Sequence, residues 1–310
     1  MSETATPIKT IGNYEILEKV GAGGLGEVYR ARNIETGEIV ALKRLHDKYQ
    51  HNKRLLGLFH KESMIHSQVA HRHCVRFIEA ELEPPNAHIV TGYVDGFNGH
   101  NLIRQAGPIP PLVACCILID ALQGLEHLHC LDVIHSDLTP SNIMIDRTGK
   151  VLLADFGLSC FHEVEDYAGI TVGTPGYQAP ERLQNEAMTA QSDIYCAGIV
   201  LYEMLTGSRL FAHMTPKETL AAMKKLNFDW LRTGDKAVDK ALKTALVKAL
   251  EFKAHKRFET PMDFMFSLYQ IVKAFRIRFT RRAINQWLGD KQLSGVRTET
   301  TRQHIYIPQP

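Results

Sequence analysis

The chain has 310 residues, 45% apolar and 23% charged, which suits one globular unit of two lobes and is ample for a large core. Its 36 Lys and Arg against 34 Asp and Glu leave a net charge of +2, so nothing demands a nucleic-acid partner. The N-terminus has no apolar signal-like core, the longest apolar runs (Leu112–Ile119, Ile194–Leu205) are too short or too interrupted to span a bilayer, and the six cysteines are scattered. A cytoplasmic protein with reduced thiols and no transmembrane segment is therefore expected.

In chain order, residues 1–12 are polar and read as a disordered terminus. Tyr14–Val20 has the composition of a strand, the glycine-rich GAGGLGEVY of 21–29 follows, and a second strand runs to about Ala31. Gly21, Gly23 and Gly26 let such a hairpin lie against phosphates, its N–H groups inward and no Cβ in the way. A dinucleotide fold uses the same letters but needs a helix straight after the third glycine, and Glu27–Ala31 continues as β. Ile39–Lys43 is a third strand, in which a lysine is costly unless paired. A helix is expected from about Lys53 to Ala70. In the loop after it His71, His73 and Cys74 read as packing, because no second ligand cluster stands at structural-zinc spacing. His88–Val90 is a strand leading to Thr91 and a glycine-rich break at Gly92–Gly96. Pro108–Pro111 opens a helix to about Cys130, with Leu112, Cys116, Ile119, Leu122, Leu125 and Leu128 at helical spacing.

The stretch 135–157, HSDLTPSNIMIDRTGKVLLADFG, sets two carboxylates and an amide among strand-type residues, with Thr148–Lys150 as a turn. A hairpin there brings Asn142 and Asp155 to neighbouring strand ends, where two oxygen ligands could hold a hard cation such as Mg2+. Asp137 is then free to orient a hydroxyl. GTPGYQAPE (173–181), SDIYCAGIVLYEMLTG (192–207) and a helical region from 215 to 275, punctuated by Pro216, Gly234 and Pro261, complete the pattern. In the tail, Arg276, Arg278, Arg281 and Arg282 beside Phe279, Ile284 and Trp287 suggest a basic amphipathic helix that contacts an acidic partner or surface. A helix capping the large lobe is the favoured alternative, because Trp287 and Leu288 need burial more than the arginines need phosphates.

G-x-G-G-x-G-x-V-Y-x-A, V-A-L-K, H-x-D-L-x-x-x-N, D-F-G and A-P-E, in that order, resemble the eukaryotic-type (Hanks-type) Ser/Thr protein kinases. The glycine-rich run resembles their bacterial members in particular, and the match covers Tyr14 to about Phe275. It implies an α+β, two-lobed fold: a β-rich N-lobe and hinge over 13–94, a mainly helical C-lobe over 95–275, and a basic extension over 276–310. It also implies transfer of the γ-phosphoryl group of ATP, with Mg2+ or Mn2+, to Ser/Thr hydroxyls of protein substrates, the chain itself included. On that resemblance Asp137 orients the acceptor and Lys43 holds the α/β phosphates with Glu62 behind it. Gly21, Ala22, Gly23, Gly24, Gly26, Val28, Ala41, Thr91, Gly92, Tyr93, Val94 and Met144 line the nucleotide pocket, with Thr91 as gatekeeper, and Asn142 and Asp155 bind metal. Thr174 reaches Asp137, Asp193 accepts from the catalytic-loop backbone, and Arg257 pairs with Glu181. Ser159, Tyr167 and Thr171 are phosphorylatable.

Two positions depart from the pattern. Ser136 replaces the arginine of H-R-D that commonly receives an activation-segment phosphate. Thr139 replaces the lysine that faces the transferred phosphoryl group, offering a hydroxyl but no charge. The second departure leaves an alternative reading, a nucleotide-binding pseudokinase that acts as a scaffold or regulator.

Overall fold

The computed structural model describes residues 10–157, 159–161, 173–275 and 280–293. Tyr167, Thr171, Arg276, Arg278 and Phe279 lie outside the described residues, as do 1–9 and 294–310.

The small lobe is one antiparallel sheet with a helix on it. Its strands are β1 (Thr10–Ile11), β2 (Tyr14–Ala22), β3 (Gly26–Asn33), β4 (Ile39–Leu45), β5 (Phe77–Glu81) and β6 (His88–Gly92), in the spatial order β1-β2-β3-β4-β6-β5. Helix α1 (Lys53–Gln68) enters between β4 and β5, its first turn capped by Asn52, whose side chain accepts from the Arg54 and Leu55 N–H groups. Leu55 and Phe59 of α1 bury against Leu25, Leu45, Ala87 and Ile89, while Tyr14, Tyr29, Val40, Leu42 and Val90 form a second small core with Ile11. Ile11 corrects the sequence reading at this end. It is 2% exposed and pairs with Tyr14, so order begins within the stretch expected to be disordered.

The chain leaves the sheet through β7 (Gly96–Asn98) into α2 (Gly99–Ala106) and α3 (Pro111–Cys130). By length and composition α3 is long and apolar enough to cross a membrane, contrary to the sequence reading, but its most apolar stretch is mostly buried in the large lobe. β8 (Val133–Ile134) precedes a hairpin of β9 (Ile143–Asp146) and β10 (Val151–Leu153). Its turn is fastened by Asp146, whose Oδ1 accepts from Thr148 N, Thr148 Oγ1 and Lys150 N at 2.8, 2.6 and 2.9 Å. β9 also pairs with β7, and β11 (Cys160–Phe161) pairs with β8.

Then follow α4 (Pro180–Leu183), α5 (Ala190–Thr206), α6 (Pro216–Met223), α7 (Lys236–Ala249), α8 (Pro261–Ala274) and α9 (Thr280–Asp290). Proline in the first turn and a Thr cap answered from the third position, Glu218 in α6 and Asp263 in α8, explain where these two helices start. α3, α5, α7 and α8 enclose one continuous core. α9 packs on α3 through Ile284, Trp287 and Leu288, and its polar face holds the β9–β10 turn: Arg281 and Asn285 donate to the Thr148 carbonyl at 3.3 and 3.1 Å. Gly149 at that turn has φ +80°, and a Cβ there would lie 2.6 Å from the Arg281 carbonyl oxygen, so both backbone and space demand glycine. Of the two readings of the tail, the described part takes the capping one.

Candidate active site

A cleft opens between the small-lobe sheet and the β9–β10 hairpin. Its roof is the β2–β3 hairpin, whose turn is closed by Gly23 N–H donating to the Gly26 carbonyl at 2.7 Å. Of the expected pocket residues, Ala22, Gly23, Gly26, Val28, Ala41, Lys43, Thr91, Gly92, Tyr93, Val94 and Met144 line it. Gly21 and Gly24 are not among the lining residues, and Gly21 instead sits in the ladder opposite Val28. Gly26 owes its identity to packing within the sheet, since a Cβ there would lie 2.1 Å from the Arg44 carbonyl oxygen of β4. Val20, Val75, Ile89, His66 and Ala154 also line the cleft and were not foreseen. The apolar ones carry no motif. His66, however, stands one helical turn beyond Glu62, a spacing that puts both on one face of α1.

On the back wall, Lys43 Nζ donates to both Glu62 oxygens, at 2.6 and 2.8 Å, and to Asp155 Oδ1 at 3.2 Å. Burial works to lower the lysine pKa, but the Asp155 and Glu62 carboxylates together outweigh it and hold the ammonium charged. Glu62 is 4% exposed, so the pair is shielded from solvent and its geometry is held by α1. His66 is pushed down to about 4 by burial. It therefore stays neutral, with Nε2 donating to the Val75 carbonyl at 2.8 Å and its ring 4.5 Å from that of Phe156.

The floor comes from the loop before β9 and the strand ends after β10. Leu153 pairs with Ile143, and Ala154 N–H donates to the Asn142 carbonyl at 2.9 Å, which sets Asp155 beside Asn142 as the spacing predicted. Asn142 spends its amide N–H groups on the Asp137 carbonyl and Oδ2, at 2.8 and 3.3 Å, which leaves its amide oxygen as a ligand. With the Asp155 carboxylate this is an all-oxygen donor set that suits Mg2+ or Mn2+ and not a soft metal.

Asp137 is 6% exposed, and its Oδ1 accepts from both N–H and Oγ1 of Thr174, at 3.0 and 2.9 Å. Burial raises its pKa to about 7; the Thr174 bonds pull it down and the Asp155 charge pushes it up. Asp193, fully buried, accepts from His135 N, Ser136 N and His129 Nε2 at 2.8, 2.9 and 2.9 Å, holding the loop from beneath. Ser136 has φ +66° and Asp155 +63°, left-handed conformations that non-glycine residues keep only when their surroundings fix them. The Ser136 hydroxyl meets Cys160 Sγ at 3.4 Å, and Thr139 is 2% exposed. Ser159 corrects the reading that made it phosphorylatable. It is 2% exposed, and its hydroxyl donates to the His135 carbonyl at 3.3 Å. Arg257 grips Glu181 at 2.7 and 2.8 Å.

The arrangement can position a polyphosphate under the hairpin, neutralise it with one fixed ammonium and a hard cation, and place a near-neutral carboxyl beside an acceptor. The family model described as "Protein kinase domain" matches residues 14–269. The serine/threonine-protein kinase PknB of Mycobacterium leprae is 30% identical over 86% of this chain and 44% of its own length. PrkC of Bacillus subtilis is 27% identical over 89% and 43%, and Pkn1 of Myxococcus xanthus 28% over 87% and 40%. The chain thus spans about two fifths of the length of these relatives.

Proposed function

Because this chain belongs to the protein kinase domain family, we propose that it transfers the γ-phosphoryl group of Mg-ATP to Ser or Thr hydroxyls of protein substrates, including its own. The carrying observation is two adjoining clusters, Lys43 with Glu62 and Asp155 at 2.6 to 3.2 Å and Asn142 with Asp137 at 2.8 to 3.3 Å, joined by the Ala154 N–H on the Asn142 carbonyl at 2.9 Å. The backbone of Gly92–Val94 meets the adenine edge, and Ala41, Val28 and Met144 enclose its faces. The Lys43 ammonium binds phosphate oxygens and keeps its orientation through Glu62. Asp137 accepts a hydrogen bond from the acceptor hydroxyl, turns its oxygen toward the γ-phosphorus and takes its proton as the phosphoryl group moves. A Mg2+ ion held by Asn142 and Asp155 would supply charge neutralisation on the phosphates.

Thr139 favours a second reading, a pseudokinase, because it brings no cation to the transferred group. Loss of one donor aimed at developing charge costs about a hundredfold to a thousandfold in turnover, which slows an enzyme without abolishing it. Incubation with labelled Mg-ATP followed by mass spectrometry of the protein tests both. Transfer in the parent that disappears in Asp137→Asn is expected, and equal incorporation in the two proteins would leave the pseudokinase reading.

A further inference from the structure

The acceptor side of the cleft is framed by three segments that hold a single acid among them, Asp137. The catalytic loop 135–142 has no acid besides Asp137; α2, GHNLIRQA, has His100 and Arg104 and no acid; the segment 207–217, GSRLFAHMTPK, has Arg209, His213 and Lys217 and no acid. These segments meet next to the reacting carboxyl. Gly99 at the start of α2 approaches the Pro140 carbonyl so closely that a Cβ would lie 2.7 Å from its oxygen, and a Cβ on Gly176 would lie 2.9 Å from the Phe211 carbonyl oxygen. From Asp137 the path is short: Thr174 bonds Asp137, Tyr177 N–H donates to the Thr174 carbonyl at 3.1 Å, and the Arg209 guanidinium lies 5.6 Å above the Tyr177 ring. Burial first, then Arg209 and Arg104, lower the His100 pKa, which puts both arginines around one imidazole.

Among the described residues, the carboxylates nearby are already committed. Glu203 is 3% exposed and takes the Tyr177 hydroxyl, and Glu181 is 7% exposed and paired with Arg257. Glu218 caps α6. Arg104 and Arg209 are exposed; Arg209 reaches the Tyr177 hydroxyl and feels the Glu203 charge behind it, but among the described residues neither arginine has a carboxylate within ion-pair distance.

We infer that this face reads anionic side chains flanking the acceptor hydroxyl of the protein substrate, through Arg104 and Arg209. The anions are aspartate and glutamate carboxylates or already phosphorylated residues; both present oxygen atoms to a guanidinium fork. The inference rests on the proposed transfer activity for its assignment of the acceptor, but the surface itself is independent of turnover.

The test uses the full chain and four peptides sharing one Thr acceptor, with Gln, Glu, phosphoserine or Lys at the flanking positions. Binding is read by fluorescence anisotropy and transfer by kcat/KM. The Glu and phosphoserine peptides should exceed the Gln peptide about fivefold to tenfold in both readouts, the range of one or two exposed ion pairs, and the Lys peptide should rank last. The double variant Arg104→Glu, Arg209→Glu should reverse the ranking while nucleotide affinity, the control for folding, stays unchanged. Phosphoserine well above Glu would identify prior phosphorylation as the source of the anion; equality would identify carboxylates. A Glu peptide no better than Gln, or a ranking unaltered in the double variant, overturns the inference. If no peptide is phosphorylated, the transfer reading fails, and the anisotropy ranking with its reversal still decides this one.

Discussion

At the scale of single residues, Asp137 combines the proposed role of accepting the substrate proton, which needs a carboxylate, with a setting that favours the acid. With a pKa near 7, about half of the groups are protonated at neutral pH, so kcat/KM for peptide should fall about tenfold per unit as pH drops below 7. An exposed aspartate would keep its charge down to about pH 4 and give a flat profile in that range. Thr174→Val removes one donor that favours the charged form, so the acid limb should move up by on the order of one pH unit. A pH–rate series on both proteins checks the position and the sign. Asp155→Asn makes a different prediction. It removes a charge from the oxygen donor set but keeps Lys43 on Glu62, so affinity for Mg-ATP should drop much more than affinity for metal-free nucleotide. Calorimetry with and without Mg2+ measures the difference.

At the scale of elements, the sequence was legible where a local rule has a long-range purpose. The hairpin of 143–153 was readable because Thr148-Gly149-Lys150 breaks an apolar run, and its register then fixed Asn142 beside Asp155. The Lys43–Glu62 pair was readable only through the family resemblance, since nothing within β4 says which of several glutamates on or after α1 faces it. β5, β7, β11 and α2 were missed. β11 has two residues, and α2 follows directly on a strand with no Pro and only Asn98 as its cap. The purpose of Gly26 was misjudged in part, because its close neighbour, the Arg44 carbonyl, lies on the next strand and leaves no mark within the motif. Gly26→Ala should therefore fail as a sheet defect: a Cβ 2.1 Å from a backbone oxygen must part β3 from β4, at a cost of at least about 1 to 3 kcal/mol. Thermal melts of the nucleotide-free protein, in which phosphate contacts play no part, distinguish this from a simple loss of binding.

At the scale of the whole molecule, the pair Glu181–Arg257 links the 173–181 segment to the chain between α7 and α8. Arg257 also donates to the carbonyls of Glu251, Phe252 and Gln191, so its guanidinium joins three segments in a buried place. Burial disfavours the Glu181 charge, yet Arg257 and Ser192 hold its pKa below the ordinary value. Glu181→Ala should leave a buried cation unanswered and cost about 3 to 5 kcal/mol, whereas exposed pairs such as Arg32–Glu15 should cost under about 1 kcal/mol when broken. Denaturant titration of the two variants compares them directly.

The clasp of α9 on the Thr148–Gly149 turn carries a consequence for how the protein breathes. The hairpin whose ends present Asn142 and Asp155 is tied at its far end to a helix that is itself anchored on α3 by Ile284, Trp287 and Leu288. Amide hydrogens of Ile143–Leu153 should then exchange with solvent on the same free-energy scale as those of 284–290, as one cooperative unit. Any partner that pries α9 from α3 would lower the opening cost of the strands beneath the cleft, altering the lifetime of the proposed nucleotide complex from a surface on the opposite end of the hairpin.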